Sequence, residues 1–161
     1  MSIADYLPGL PGPYWIDYVY DIEPTKPLVN PAGARNVNIV PSGIVDQRGL
    51  FLEFVMNANT PDIEFVVQLD NRRFHATIAQ MYSSGYTFYI PNSPFISEYN
   101  TTDNIYVVNL IGEIPFRHDM NIYVNNRSSG PAVISDMGVH AVIFRPGFFK
   151  ALADLKSGKV I

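Results

Sequence analysis

At 161 residues, 47% of them hydrophobic and 13% aromatic, the chain has the size of one domain and enough apolar side chains for a full core. A net charge of −4 argues against a surface that tracks nucleic-acid phosphates, and the absence of cysteine excludes disulfides, zinc–thiolate sites and cysteine nucleophiles. Charged residues make up only 16% of the chain, against about 25% in ordinary soluble domains, as in a surface that spends its life covered or equally in a β-rich protein that uses Ser, Thr and Asn in place of charge.

The first residues lack the basic region and apolar run of a secretory signal, and no window approaches the roughly 18 apolar residues of a membrane helix, so synthesis in the cytoplasm and no membrane partner are expected. Residues 1–33 hold Pro8, Pro11, Pro13, Pro24, Pro27 and Pro31, a density that forbids a helix and favours extended backbone. Within it Ile16, Tyr18, Tyr20 and Ile22 alternate with Asp17 and Asp21, which predicts one short strand over Trp15–Ile22. The rest reads as an arm. Fixing a backbone residue costs about 1–2 kcal/mol, so ordering such an arm costs tens of kcal/mol, and neighbouring subunits are the expected compensation. Tyr6, Tyr14, Trp15, Tyr18 and Tyr20 are its candidate partner-binding residues.

From Val37 onward, short apolar runs of period two are broken by Gly, Pro, Asn and Asp. Strands are predicted over Gly49–Met56, Ile63–Leu69, Phe74–Met81, Tyr86–Ile90, Ile105–Ile111, Ile114–Phe116, Asn121–Val124, Ala132–Met137 and Val139–Phe144. Gly112 is the expected break between two of them, and Ser83-Ser84-Gly85 ends another. Only one helix is predicted, Phe148–Lys156, with Phe148, Leu152 and Leu155 on one face and Gly158 as its C-terminal cap. Being too short to persist alone, it must dock, and those three residues are candidate partner contacts. The fold class is all-β: an antiparallel, jelly-roll-like sandwich of about eight or nine strands with an N-terminal arm (1–33), a sandwich domain (34–146) and a C-terminal helix and tail (147–161).

Catalytic signatures are weak. His75, His118 and His140 have no metal-ligand spacing, Gly-x-Ser-x-Gly is absent, and Ser83, Ser84, Ser128 and Ser129 sit in turn-like sequence. Glu53 and Glu64 could approach across a hairpin as paired acids, but their alternation with apolar neighbours places both more simply on a solvent-facing side. Asp62, Asp70, Asp103 and Asp119 read as turn residues, and the sequons at Asn100 and Asn126 as chance. No enzyme activity, metal or cofactor is expected.

The stretch from Gly49 to Arg145 carries Pro61-Asp62-Ile63-Glu64 opening one strand and Ile114-Pro115-Phe116 closing another, then Asn121-Ile122-Tyr123-Val124-Asn125-Asn126 leading to Ala141-Val142-Ile143-Phe144-Arg145. In this it resembles the β-sandwich virion proteins of tailed bacterial viruses. The resemblance implies a decoration, cement or minor capsid or tail protein, located in the virion, with the major capsid protein and copies of itself as partners. Two other classes stay open: a carbohydrate-binding module that uses exposed Tyr or Trp, and a small β-fold enzyme.

Overall fold

The computed structural model describes residues 15–22, 27–39, 46–84 and 95–158, with backbone alone at 15–22 and Phe95. Ten strands and two helices follow in chain order: β1 (Trp15–Ile22), β2 (Leu28–Asn30), β3 (Val37–Asn38), β4 (Arg48–Ala58), β5 (Ile63–Leu69), β6 (Arg72–Thr77), α1 (Ile78–Ser84), β7 (Phe95–Asn100), β8 (Ile105–Phe116), β9 (Met120–Asn126), β10 (Ala132–Phe144) and α2 (Phe148–Lys156). All pairings are antiparallel, as the all-β expectation requires.

One sheet runs β1-β10-β4-β8-β7 with β2 also on β10, and the other runs β3-β9-β5-β6. With β1, β3, β4, β5, β6, β8, β9 and β10 counted as first to eighth, the two orders become 1-8-3-6 and 2-7-4-5. That is the jelly roll, two Greek keys wound into facing sheets. β7 is an extra edge strand hairpinned onto β8, and β2 continues the β1 edge along β10.

Alternation builds the core. Along β8, Tyr106, Val108, Leu110, Ile114 and Phe116 are buried, and along β5, Ile63, Phe65, Val67 and Leu69 are. Phe54 of one sheet meets Phe65 of the other with ring centroids 5.9 Å apart, so the two inner faces are in direct contact. Gly49 is buried where Phe116 crosses it, and a Cβ there would collide with the Phe116 ring and the Val142 carbonyl.

Several expectations are corrected. Phe74–Met81 is not one strand: β6 stops at Thr77, and Ile78 starts a helix. The reason is a capping box, in which the Thr77 amide donates to Gln80 Oε1 at 2.9 Å and the Gln80 amide to Thr77 Oγ1 at 3.0 Å. Gly112 does not end a strand but lies within β8, where register slips between Phe51 and Glu53 place two residues of β8 against the single Leu52. Likewise Ala132–Phe144 is continuous, with irregularities between Ile134 and Asp136 and at His140 to Ala141 absorbing the breaks in its pattern. Leu28–Asn30, expected in the arm, pairs with β10. The predicted strand at Tyr86–Ile90 lies outside the described residues.

β1 forms as expected. Its Ile16, Tyr18, Tyr20 and Ile22 stand opposite Ile143, Ala141, Val139 and Met137, which are all buried. For residues 15–22 and 28–30, then, this chain's own β10 supplies the backbone ladder, and the argument that foreign protein must order the segment does not reach them.

Candidate functional site

The polar side chains that alternation assigns to turns form two built networks. At one end of the sandwich, Asp70 takes a left-handed backbone (φ 55°) between β5 and β6. Its carboxylate accepts from the amides of Arg117 at 2.8 Å, His118 at 2.8 Å and Asp119 at 3.0 Å, in the turn from β8 to β9. Burial pushes the Asp70 carboxyl up, but these amides and the nearby His118 outweigh it and hold it below its ordinary value. The group staples two turns and takes no part in metal or acid–base geometry.

At the other end, Asn126 is 2% exposed, and its Nδ2 donates to the carbonyls of Asn30, Pro31 and Gly130. The Asn125 Oδ1 accepts from the Asn36 amide at 2.6 Å. Together they fasten the connection that carries the chain from β2 to β3. Asn126, one of the two sequon residues, is thus occupied inside the fold.

Next to it lies the one carboxylate that the alternation argument misplaced. Glu64 is 6% exposed, not solvent-facing as expected. Its Oε2 accepts from Asn125 Nδ2 at 2.6 Å, Arg127 Nη2 at 2.7 Å and Arg127 Nε at 3.1 Å, and its Oε1 from His75 Nδ1 at 3.1 Å. Desolvation raises its pKa, and the hydrogen bonds from Asn125, Arg127 and His75, with the Arg127 charge, overcome that and lower it. Three hydrogen bonds on Oε2 and one on Oε1 favour the ionised carboxylate. Glu53 belongs to β4 in the opposite sheet, so the paired-acid geometry is not assembled.

The remaining candidates also stay apart. His75 is on β6, His118 in the β8–β9 turn and His140 on β10, and among the described residues no three His, Asp or Glu side chains gather as a metal site. Ser83 and Ser84 donate to the Gln80 and Met81 carbonyls, and Ser128 to Asn126 Oδ1 and the Gly130 carbonyl. Tyr82, 56% exposed, stacks on Tyr99 at 4.0 Å, and Tyr106 meets Tyr99 edge-on at 5.0 Å, so α1 is tied to β7 through rings. Burial, then Tyr106, Asp62 and Tyr82, raises the Tyr99 hydroxyl.

What the described surface does offer is an outer face on the six-stranded sheet where apolar side chains stand among Glu53, Asn57, Asn109 and His140. Opposite the core residues of β4, β8 and β10 stand Leu50, Val55, Ile105, Val107, Ile111 and Val142, of which Ile111 is 38% exposed and Val142 alone is buried. Registers Leu50↔Pro115 and Leu50↔Val142 make one apolar row across three strands, while Glu53↔Ile111, Val55↔Asn109 and Asn57↔Val107 set a polar side chain beside each of Ile111, Val55 and Val107. Leu52, the extra residue of the β4 irregularity, is half-buried beside them.

No family model and no curated protein matches this chain.

The predicted partner residues divide three ways. Tyr6 and Tyr14 lie outside the described residues, while Trp15, Tyr18 and Tyr20 are placed in β1 as backbone, with Trp15 opposite Phe144. Phe148 is corrected: it is 3% exposed and stacks on Phe144 at 4.3 Å, so the helix docks on its own chain by that ring and by buried Ala151. Leu152 and Leu155 remain half-buried. Gly158 caps α2 as expected, with φ 75° and its amide on the Leu155 carbonyl. Sequence reasoning passed over Phe149, which is 48% exposed and lies under the Arg48 guanidinium at 5.2 Å. Its signal was the Phe-Phe doublet, whose second ring cannot share the first one's helix face.

Proposed function

We propose that this chain is a non-enzymatic building block of a protein assembly, with a virus particle the assembly that fits it best. The observation that carries the reading is the outer face of the six-stranded sheet. Half-exposed Leu50, Val55, Ile105 and Val107, with exposed Ile111, stand there among Glu53, Asn57, Asn109 and His140, a mixture of apolar and polar side chains such as subunit interfaces carry. Such a face gains about 25 cal/mol for each Å² it removes from water, which favours lying against another subunit. Two supports are weaker. The jelly-roll strand order is one that capsid proteins use, though lectins use it too, and a fold by itself assigns no function. The stretch that resembles virion proteins, Gly49–Arg145, runs from β4 to just past the end of β10.

The test is the association state of the purified chain, alone and with Ile111→Lys plus Val107→Lys, by mass photometry and analytical ultracentrifugation. A discrete oligomer that the lysine pair dissolves, without loss of the thermal transition, is expected. A wild-type chain that stays monomeric at about 100 μM, well above the dissociation constants usual for obligate interfaces, overturns the reading.

A further inference from the structure

Where α2 leaves the sheet, a depression of about 480 Å³ opens between Phe149, Phe144 and Phe116, with Arg48 and Arg117 on its lining. Its size falls within the roughly 300–1,000 Å³ typical of ligand sites, and its make-up is that of such sites too: apolar walls and a few charged groups. The walls are held rigidly. Phe144 is fixed by its stack on Phe148, Phe116 by its passage over Gly49, and Phe149 stands edge-on to both Phe144 at 5.8 Å and Phe148 at 5.2 Å.

The charges are unbalanced. None of the lining residues is acidic, and among the described residues neither the Arg48 nor the Arg117 guanidinium has a carboxylate partner. Among the described residues, Arg48 meets the Phe149 ring alone, and Arg117 enters the Asp70 network by its backbone amide and not by its side chain. The same end of the molecule holds the start of α2, whose N-cap Gly147 provides no side-chain hydrogen bond and whose first turn has no acid. Two guanidiniums without a described carboxylate partner, beside a helix start that has no side-chain cap, favour an incoming anion. Aromatic walls favour a flat or apolar body attached to it.

We propose that this depression receives a segment of a partner protein in which an aromatic side chain stands beside a carboxylate, the ring entering between Phe116 and Phe149 and the carboxylate meeting Arg48 and Arg117. The proposal deepens the assembly reading, which it needs only for the origin of the segment.

The probes are acetyl-Asp-Tyr-Leu-amide and its acetyl-Lys-Tyr-Leu-amide counterpart, titrated to millimolar concentration into the ¹⁵N-labelled full chain. Saturable amide shifts centred on Gly49, Phe116, Phe144 and Phe149 are expected with the aspartyl peptide. Its affinity should fall at least about tenfold in Arg48→Ala/Arg117→Ala, and at least as far for the lysyl peptide against wild type. Phe149→Ala, a change at an exposed ring, should weaken both peptides alike. No saturable shift, equal binding of the two peptides, or unchanged affinity in the double arginine variant would each overturn the proposal. A chain that assembles normally but ignores the peptide sinks this inference alone, whereas a monomeric chain that binds it sinks the assembly reading alone.

Discussion

The two sheets share one core yet treat their outer faces in opposite ways. The four-stranded sheet spends its outer face on structure: Glu64 sits buried on β5 beneath His75 and Arg127, with Asn125 alongside, and its charge is satisfied within the chain. The six-stranded sheet leaves Leu50, Val55, Ile105, Val107 and Ile111 half or fully exposed among Glu53, Asn57 and Asn109, with no comparable buried ion network among the described residues. A buried charge must be matched locally or it unfolds the protein, while an exposed apolar side chain costs little until a partner removes it from water. Stability therefore concentrates on one face, and the proposed association would use the other.

The harshest way to break the comparison is through what both faces share. Gly49→Val places side-chain carbon against the Phe116 ring and the Val142 carbonyl, and should cost more than about 3 kcal/mol; a denaturant midpoint within error of wild type would refute the close approach. Next comes the charged face. Glu64→Ala removes the acceptor of Asn125, Arg127 and His75 and should cost about 2–3 kcal/mol, while Arg127→Ala, at a side chain 48% exposed, should cost less. Urea unfolding of both variants decides the order.

Acid sharpens the same contrast. Glu64 and Asp70 are held below their ordinary values of 4.5 and 3.8, so the stability they contribute is complete above those values and is lost as pH falls through the lower folded-state values. Thermal midpoints should fall below about pH 4.5, and the fall should be shallower in Glu64→Gln. An identical acid profile in that variant would remove Glu64 from the account. The smallest effect on stability belongs to the apolar face: Ile111→Lys should change it by no more than about 0.5 kcal/mol, as at ordinary surface sites, yet shift the association equilibrium. A large loss of stability there would mean that the face is covered by the chain itself.

Much of the fold was legible because β alternation is local. The strands β5 and β8, the helix over Phe148–Lys156 and the Gly158 cap each announce themselves within a few residues. Thr77 and Gln80 announced α1 as well, but the apolar–polar rhythm of Phe74–Ala79 hid it, since a capping box competes with that rhythm over one turn only. The break at Gly112 looked terminal because a bulge and a strand end leave the same mark in a one-dimensional pattern, whereas Gly138 sits in regular register opposite Val55 and only lacks a side chain to continue the alternation.

The site was less legible. Alternation says on which side of a strand Glu64 lies but not what sits above it, and its partners arrive from β6 and from the end of β9, 61 and 63 positions away in the case of Asn125 and Arg127. That Arg48 and Arg117 have no carboxylate partner among the described residues is likewise a property of the tertiary structure and not of their neighbours in sequence.

By itself, then, the sequence determined that this is an all-β chain with one docking helix at its end, because side-chain period and turn chemistry act over two to four residues. Tertiary structure alone decided the jelly-roll strand order, the exchange of a supposed solvent-facing Glu64 for a buried anion, and the aromatic depression beside α2. Each depends on which distant strands become neighbours, and that choice is made by burying both inner faces at once, a condition that no short stretch of the chain contains.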